Sequence, residues 1–206
     1  AQILYLYNRY DSALLYSVKA EKLLPIIRGL IPEAEHNYYS SLIMLALYLE
    51  ATEQKQQEYR QKLKFNQKQI KNWANNCPAN FLHKYLLIQA EIYRIEGQDL
   101  MAMELYDRAI ASAGEHEFIQ NEALGNELAA KFWTSRHKPD FARLYLKKAH
   151  YGYQLWGAKR KVDNLEANYP HLFSEIITTI TTDTRTFHKV TRSEEHTSEL
   201  QSHSDL

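Results

Sequence analysis

Two groups of residues have the side chains that metal sites use. His196 and His203 lie seven residues apart, a spacing that places both imidazoles on one face of a helix. The run Glu115–Glu117, with His116 between two acids, also contains metal-ligand types. No further pair at metal-binding spacing accompanies Glu115–Glu117. We interpret that run as a surface helix end and predict no metal site.

The sequence lacks the motifs that nucleophilic catalysis and phosphate binding require. It has no G-x-S-x-G nucleophile elbow, no G-x-x-x-x-G-K-[ST] loop and no G-x-G-x-x-G fingerprint. The H-R-D and D-F-G motifs that protein kinases need are also absent. His171, in "PHLFSEI", lacks the acidic and arginine context of a phosphoacceptor histidine. We therefore predict no catalytic residue and no cofactor-binding residue in this chain.

Two basic runs have side chains suited to phosphate contacts. They are Ser135–Lys138 and Ala158–Val162, and Trp156 lies close in sequence for base stacking. Cations at helix ends are more often solvated residues that complement the helix dipole. The chain has 25 Lys and Arg against 25 Asp and Glu, which gives a formal net charge of zero. Nucleic-acid-binding domains carry a marked basic excess, so we predict no nucleic-acid partner.

Composition indicates a helical globular chain. Of its 206 residues 45% are hydrophobic and 12% aromatic, and only six Gly and five Pro interrupt it. No run reaches the roughly 18 apolar residues of a membrane span, so none is predicted. The single Cys77 forms no internal disulfide, which fits a cytoplasmic location. The chain begins without Met inside a helical pattern, which predicts a fragment of a longer protein.

Apolar periodicity and helix-start residues predict a row of α-helices. Asp99 and Pro139 are favourable in the first turn of a helix. The stretch 53–76 is mostly polar with its apolar residues near one stripe, so we expect it on the outside, with Gln67 pointing outward. The predicted helices cover approximately residues 1–7, 10–24, 33–49, 53–76, 80–96, 99–115, 119–136, 139–156 and 158–168.

A 40-residue repeat organises these helices. The stretch Ala90–Ile110 aligns with Ala129–His150, with matching residues 40 positions apart, and a third copy opens the chain at Ala13 and Ala20. Small residues let two antiparallel helices approach closely, and Gly97 suits a left-handed turn between them. The predicted repeat core is Ala90, Tyr93, Ala102, Tyr106, Ala109, Ala130, Trp133, Ala142 and Ala149.

The order small, aromatic, Gly, small, aromatic, small resembles the tetratricopeptide repeat, whose usual period is about 34 residues. The resemblance implies an all-α antiparallel helix-pair solenoid, in which the first helix of each pair lines a concave, partner-binding face. The positions implied for this face carry charges of both signs together with Leu, which favours a peptide or a neighbouring domain as the partner. The alternative is that they are ordinary solvated surface positions. The implied positions are Lys84, Leu87, Glu91 and Arg94 in one repeat and Leu124, Glu127, Lys131 and Thr134 in the next.

Longer stretches carry a more specific resemblance. The segments "YDRAI", "NELAAKF" and "YGYQLWGAK" are similar to the helical-repeat region of very large bacterial signalling proteins. In that family a serine/threonine kinase domain and a predicted ATPase domain precede the repeats, and a GAF domain and usually a histidine kinase follow them.

The family resemblance implies a non-catalytic interaction and relay module within a protein kinase. Its implied partners are the neighbouring ATPase, GAF or kinase domains, or a peptide, and ATP is bound only by the parent's other domains. One alternative is the repeat region of an ATPase-containing transcriptional activator. Another is a free-standing protein-binding repeat. A third, a dimerisation region of a histidine kinase, is disfavoured because the phosphoacceptor context is missing.

The C-terminal part of the chain changes character. We predict a helical-repeat domain over residues 1–172 with a truncated first repeat, followed by an irregular Thr-rich linker over 173–191. Residues 192–206 read "RSEEHTSELQSHSDL" and contain no aromatic residue. The run "RSEEHTSELQS" resembles the translation of a widely used sequencing-library adapter. We interpret 192–206 as a disordered artefactual tail, which removes His196 and His203 as metal ligands.

Overall fold

The computed structural model describes residues 1–170 and residue 173. Over those residues the chain is all-α and has no strand, which confirms the predicted fold class. Two short 3₁₀ turns, Leu24–Ile27 and Tyr48–Glu50, flank the third helix. The α-helices of this part are α1 (Gln2–Leu6), α2 (Tyr10–Glu21), α3 (Ile31–Leu47), α4 (Glu53–Asn76), α5 (Pro78–Ile95), α6 (Asp99–Glu115), α7 (Ile119–Ser135), α8 (Pro139–Leu155) and α9 (Lys159–Asn168).

Local sequence sets most helix starts. Pro32, Pro78 and Pro139 each lie in the first turn of a helix, where their missing N–H would have no acceptor in any case. Thr52 caps α4, since its side chain accepts a hydrogen bond from the Lys55 N–H at 3.4 Å. The predicted bounds agree with the structure within about three residues, and the largest difference is at the end of α2.

The chain divides into two compact units, Ala1–Asn164 and Leu165–Leu206. In the second unit, the described residues include the end of α9, where the Tyr169 N–H donates to the Leu165 carbonyl at 3.1 Å. The predicted linker beyond Phe173 and the predicted tail over 192–206 lie outside the described residues. Both therefore stay predictions, as does the domain boundary at residue 172.

The connections after α5 to α8 share one turn conformation at 20-residue intervals. In each turn the residue after the left-handed one donates its N–H to a carbonyl five residues back, as Gln98 does to Tyr93 at 2.9 Å. Two such turns and two helices make up the 40-residue repeat seen in the sequence. The left-handed residues are Gly97 (φ 72°), Glu117 (φ 62°), His137 (φ 55°) and Gly157 (φ 78°).

The helices pack in two layers within the first unit. Consecutive helices from α1 to α8 contact each other, and the contacts of α5 with α6 and of α7 with α8 are the most extensive. Alternate helices also touch, since α3 contacts both α1 and α5, and α5 contacts α7. One layer, which we name the odd layer, therefore contains α3, α5 and α7, and α1 lies against α3.

The predicted repeat core is buried between these layers. All six of its alanines are at most 3% exposed, and so is Tyr106. Tyr93 and Trp133 are half-buried. The burial supports paired helices that meet through small side chains, while membership of the tetratricopeptide family stays a prediction. The six alanines are Ala90, Ala102, Ala109, Ala130, Ala142 and Ala149.

A glycine sets the approach of α8 to α7. A Cβ built on Gly152 would lie 2.9 Å from the Ala123 Cβ and 3.4 Å from the Ala123 Cα. Because backbone atoms cannot swing aside, we expect Gly152→Ala to lower the free energy of unfolding by about 1–3 kcal/mol. Urea denaturation followed by circular dichroism measures this change.

Gly114 near the end of α6 provides the matched control. A Cβ there would meet only the flexible Glu122 side chain, at 3.4 Å. We expect Gly114→Ala to leave stability unchanged or raise it by up to about 1 kcal/mol, because Ala has the higher helix propensity. Similar losses in the two variants would contradict the close approach of α7 and α8.

Candidate functional site

The eight residues predicted to line a concave binding face lie on α5 and α7. Five of them are buried, with exposed fractions of 2–4%, so the expectation that they point outward is wrong for these five. Arg94 and Lys131 are half-buried and Thr134 is exposed. A binding role stays a prediction for these three. The buried residues are Lys84, Leu87, Glu91, Leu124 and Glu127.

The segment Gln2–Asn8 covers part of this face, and Lys84 is buried against Glu35 on α3. Tyr5 on α1 is 3% exposed, and its ring centroid lies 6.0 Å from that of Tyr39 on α3. Gln2 Nε2 donates to the Tyr39 hydroxyl at 3.1 Å. Directly after α1, Asn8 Oδ1 accepts a hydrogen bond from Lys131 Nζ on α7 at 2.8 Å. The segment from Gln2 to Asn8 therefore bridges α3 and α7 on the face assigned to a partner.

A buried charge cluster ties four helices together. Glu127 Oε1 on α7 lies 2.9 Å from Lys161 Nζ on α9, and both side chains are 2% exposed. Lys131 Nζ lies 3.2 Å from the same oxygen. Tyr153 on α8 donates its hydroxyl to Glu127 Oε2 at 2.7 Å. Lys161 Nζ also donates to the Leu6 carbonyl at the end of α1. We name these side chains the Glu127 cluster.

Opposing effects set the protonation of the Glu127 cluster. Burial acts to raise the pKa of the Glu127 carboxyl, but Lys131, Lys161 and Tyr153 outweigh burial and hold that pKa below its ordinary value. Burial lowers the pKa of Lys161, while Glu127 opposes that change. The Glu127 carboxylate is therefore the charged centre around which the cluster is built.

A second buried carboxylate, Glu91, performs a similar linking role. Arg94 donates to Glu91 Oε2 through Nε at 2.9 Å and Nη2 at 2.7 Å. The Tyr106 hydroxyl on α6 donates to Glu91 Oε1. Arg94 Nη2 also reaches the Leu45 carbonyl on α3 at 3.5 Å. Burial raises the pKa of Tyr106 well above its ordinary value, and Glu91 adds to the rise. Glu91 thus connects α3, α5 and α6.

These two clusters are structural in character. Both oxygens of each carboxylate accept hydrogen bonds from neighbouring side chains, so both carboxylates are already engaged within the domain. Within the residues the structure describes, no group of three or more His, Cys, Asp or Glu side chains is arranged to hold a metal ion. The alternating charges that the sequence assigned to a partner are instead satisfied inside the domain.

A buried imidazole lies between α5 and α7. His83 is 2% exposed, and its Nε2 lies 2.8 Å from Asn121 Nδ2, which donates to it when the imidazole is neutral. Its ring centroid lies 4.5 Å from that of Phe118. Burial, assisted by Lys84 and His116, lowers the pKa of His83 to about 3. The imidazole is therefore neutral at physiological pH.

The buried neutral imidazole predicts an acid-dependent loss of stability. The pKa of His83 is about 3 in the folded chain and about 6.5 in an unfolded one. The unfolded chain therefore binds the additional proton, and acid favours unfolding. The contribution is complete above about pH 6.5 and decreases as the pH falls towards about 3. At about pH 5 we expect a loss of about 2 kcal/mol relative to about pH 8, measured by urea denaturation.

Two histidine variants separate this effect from general acid sensitivity. His83→Gln should remove most of the stability difference between the two pH values, because glutamine has no proton to gain. His137→Asn should retain the difference, since His137 is exposed and Asn tolerates its left-handed backbone. An unchanged pH dependence in His83→Gln would contradict the assignment.

The acidic run at the end of α6 is a helix end, as predicted. His116 Nδ1 lies 2.9 Å from the Ser112 carbonyl of the preceding turn. Glu115 and Glu117 on either side are exposed. The other two candidate metal ligands, His196 and His203, lie outside the described residues.

The two basic runs are partly neutralised inside the domain. Arg136 donates through Nε and Nη2 to the two carboxylate oxygens of Asp99, each at 2.6 Å. Lys161, from the second run, is buried against Glu127. Since Arg136 and Lys161 already pair with carboxylates of this chain, these runs offer less charge to a phosphate backbone than their sequences suggest.

The first unit is thus a layered stack of helical hairpins, held together by small residues and buried ion pairs. No family model matches the chain, and no solved structure matches it. The chain is 37% identical over 62 residues to hybrid signal transduction histidine kinase G of Dictyostelium discoideum. The matched stretch covers 30% of this chain and 2% of the length of that protein.

This similarity is compatible with a signal-transduction module, without defining a family. Among the described residues, none of the helices combines the length and the apolar character needed to cross a membrane. The resemblance to the bacterial multi-domain signalling proteins stays a prediction.

Proposed function

We propose that this helical domain is a non-catalytic interaction and relay module of a signal-transduction protein kinase. The observation that carries the proposal is the 37% identity over 62 residues to a hybrid signal transduction histidine kinase. The matched stretch is 2% of that protein, a share suited to one module within a long chain. The kinase activity itself, with its ATP, is assigned to other parts of the parent protein.

The packing supports a relay role. The Glu127 cluster joins α1, α7, α8 and α9 within the first unit, and Glu91 joins α3, α5 and α6. Removing one partner from a buried ion pair costs about 3–5 kcal/mol, so these links resist opening. A stack tied in this way transmits a displacement from one helix to another instead of absorbing it locally.

The interaction role is assigned to neighbouring domains of the same protein. Following the family resemblance, we place an ATPase domain before this module and GAF and histidine kinase domains after it. A cytoplasmic location follows from the same proposal. Because five of the eight residues of the predicted concave face are buried, these domains contact the outer surfaces of the helices.

The gene provides a direct test. Reading an independently cloned copy past the codon for Thr191 should reveal a GAF or kinase domain, and reading upstream of Ala1 should reveal an ATPase domain. These domains, expressed separately, should bind the full chain in isothermal titration calorimetry. A helix-turn-helix domain downstream, or signalling domains that show no binding, would overturn the proposal.

A further inference from the structure

The helices α6 and α8 expose the same positions of the 40-residue repeat. All five positions that form one helical stripe on α6 are exposed, and each is matched by an exposed residue 40 positions later on α8. The two stripes therefore occupy equivalent places in their hairpins. On α6 the stripe is Met101, Glu104, Arg108, Ala111 and Glu115, and on α8 it is Phe141, Leu144, Lys148, Tyr151 and Leu155.

The chemistry of the two stripes differs sharply. The α6 stripe is mostly charged, as expected of a solvated face. On α8 the equivalent positions carry four large apolar or aromatic side chains, which we name the α8 stripe: Phe141, Leu144, Tyr151 and Leu155. They are 50%, 51%, 62% and 57% exposed. Trp156, 42% exposed, follows at the helix end. The apolar area exposed here is on the order of 500 Å², a size that is often functional.

Stacking of a further repeat does not account for the α8 stripe. The equivalent α6 positions remain exposed although α7 and α8 follow α6 in the stack. The hairpin of α7 and α8 leaves Glu104 and Ala111 exposed on α6. A further hairpin packed on α8 with the same geometry would therefore leave Leu144 and Tyr151 exposed as well. The apolar residues on α8 need another occupant.

We infer that the α8 stripe docks an amphipathic helix that carries acidic residues beside its apolar face. The apolar residues of the α8 stripe lie at i, i+3, i+10 and i+14 on one face of α8, a surface on which the apolar face of such a helix can pack. The charges on α8 indicate that the partner helix is acidic, because α8 carries Arg143, Lys147 and Lys148 against the single acid Asp140. Acidic side chains on the incoming helix would meet Lys147 and Lys148 along the stripe.

A second copy of this chain is a poorer occupant. Lys148 lies on the same face as the α8 stripe, midway between Phe141 and Leu155, so antiparallel pairing of two α8 helices would place two lysines face to face at the dyad. Like charges in contact across an interface are strongly disfavoured. An anionic membrane is also poorer, because stable electrostatic recruitment uses about four to eight cations, and α8 carries three, Arg143, Lys147 and Lys148.

Selection from a displayed library of helical peptides, with acidic and basic members, tests this inference on the full chain. The enriched peptides should combine apolar residues at helical spacing with an excess of Asp and Glu. The variant Leu144→Glu/Tyr151→Ala, which carries the α6 residues at these positions, should bind them at least about tenfold more weakly in fluorescence anisotropy. Met101→Ala, on the α6 stripe, should bind like the parent chain. Circular dichroism verifies that both variants fold.

Several outcomes would overturn the inference. One is no enrichment, and another is enrichment without an acidic excess. Equal binding by Leu144→Glu/Tyr151→Ala would place the site elsewhere. Self-association in sedimentation, or binding to phosphatidylserine vesicles, would identify a different occupant if the double variant abolished it. The inference rests on the proposed function as an interaction module. If peptide selection failed while the ATPase or GAF domain still bound the chain, the docking site on α8 would be rejected and the proposed function would stand.

Discussion

Replacing Glu127 with leucine is expected to lower the free energy of unfolding by about 3–5 kcal/mol. The substitution leaves the Lys161 ammonium buried, with 2% of its side chain exposed, and without its carboxylate at 2.9 Å. It also removes the acceptor of the Tyr153 hydroxyl. An uncompensated buried charge is among the most costly single changes in a folded protein. Urea denaturation near neutral pH, followed by circular dichroism, measures the loss.

Two further variants define the origin of the effect. Glu104→Leu removes an exposed ion pair, in which Glu104 and Arg108 are 58% and 56% exposed, and should cost less than about 1 kcal/mol. The double variant Glu127→Leu/Lys161→Met should recover much of the loss, since an apolar pair of similar volume replaces a buried ion pair at little cost. If Glu127→Leu lowered the free energy of unfolding no more than Glu104→Leu does, the Glu127 cluster would not stabilise the fold in the way that its burial and short distances predict.

Phe132→Ala is expected to lower the free energy of unfolding by about 3–5 kcal/mol as well. Phe132 is 1% exposed, and its ring centroid lies 5.6 Å from that of Tyr106 and 5.2 Å from that of Trp133. The Arg136 guanidinium lies 5.3 Å from the ring centre. Truncation removes these contacts and leaves a cavity that the helical backbones cannot close.

Phe65 on α4 is a control of the same residue type. It is 67% exposed, so Phe65→Ala should change stability by no more than about 0.5 kcal/mol. Both variants can be measured by thermal and urea unfolding on the same chain. Comparable losses at Phe65 and Phe132 would show that the interior lies elsewhere than between α6 and α7.

The position of α1 affects where a partner can bind. The segment Gln2–Asn8 lies on the face of the odd layer where the sequence predicts a concave partner-binding site. The proposed interaction role therefore uses outer surfaces, and the α8 stripe is an outer surface whose composition differs from that of the equivalent α6 positions. Of the eight residues that the sequence assigns to the concave face, Thr134 is the one that is exposed.

Several features were determined by the sequence alone. Helix bounds followed from apolar periodicity and first-turn residues such as Pro139 and Asp99, because these act within a few residues of where they lie. The 40-residue spacing of alanines identified the buried contacts between paired helices, since a close approach needs small side chains whatever surrounds it. Gly97 marked a left-handed turn for a similarly local reason.

Only the tertiary structure decided which polar residues are inside. Glu91 and Glu127 were expected to face solvent, and so was Gln67, which is 8% exposed with its amide 3.0 Å from Gln89 Oε1. A polar side chain is buried at tolerable cost only where partners offset its lost hydration. Those partners come from distant positions, as when Lys161 meets both Glu127 and the Leu6 carbonyl, 155 residues away. Periodicity along one helix carries no information about such partners.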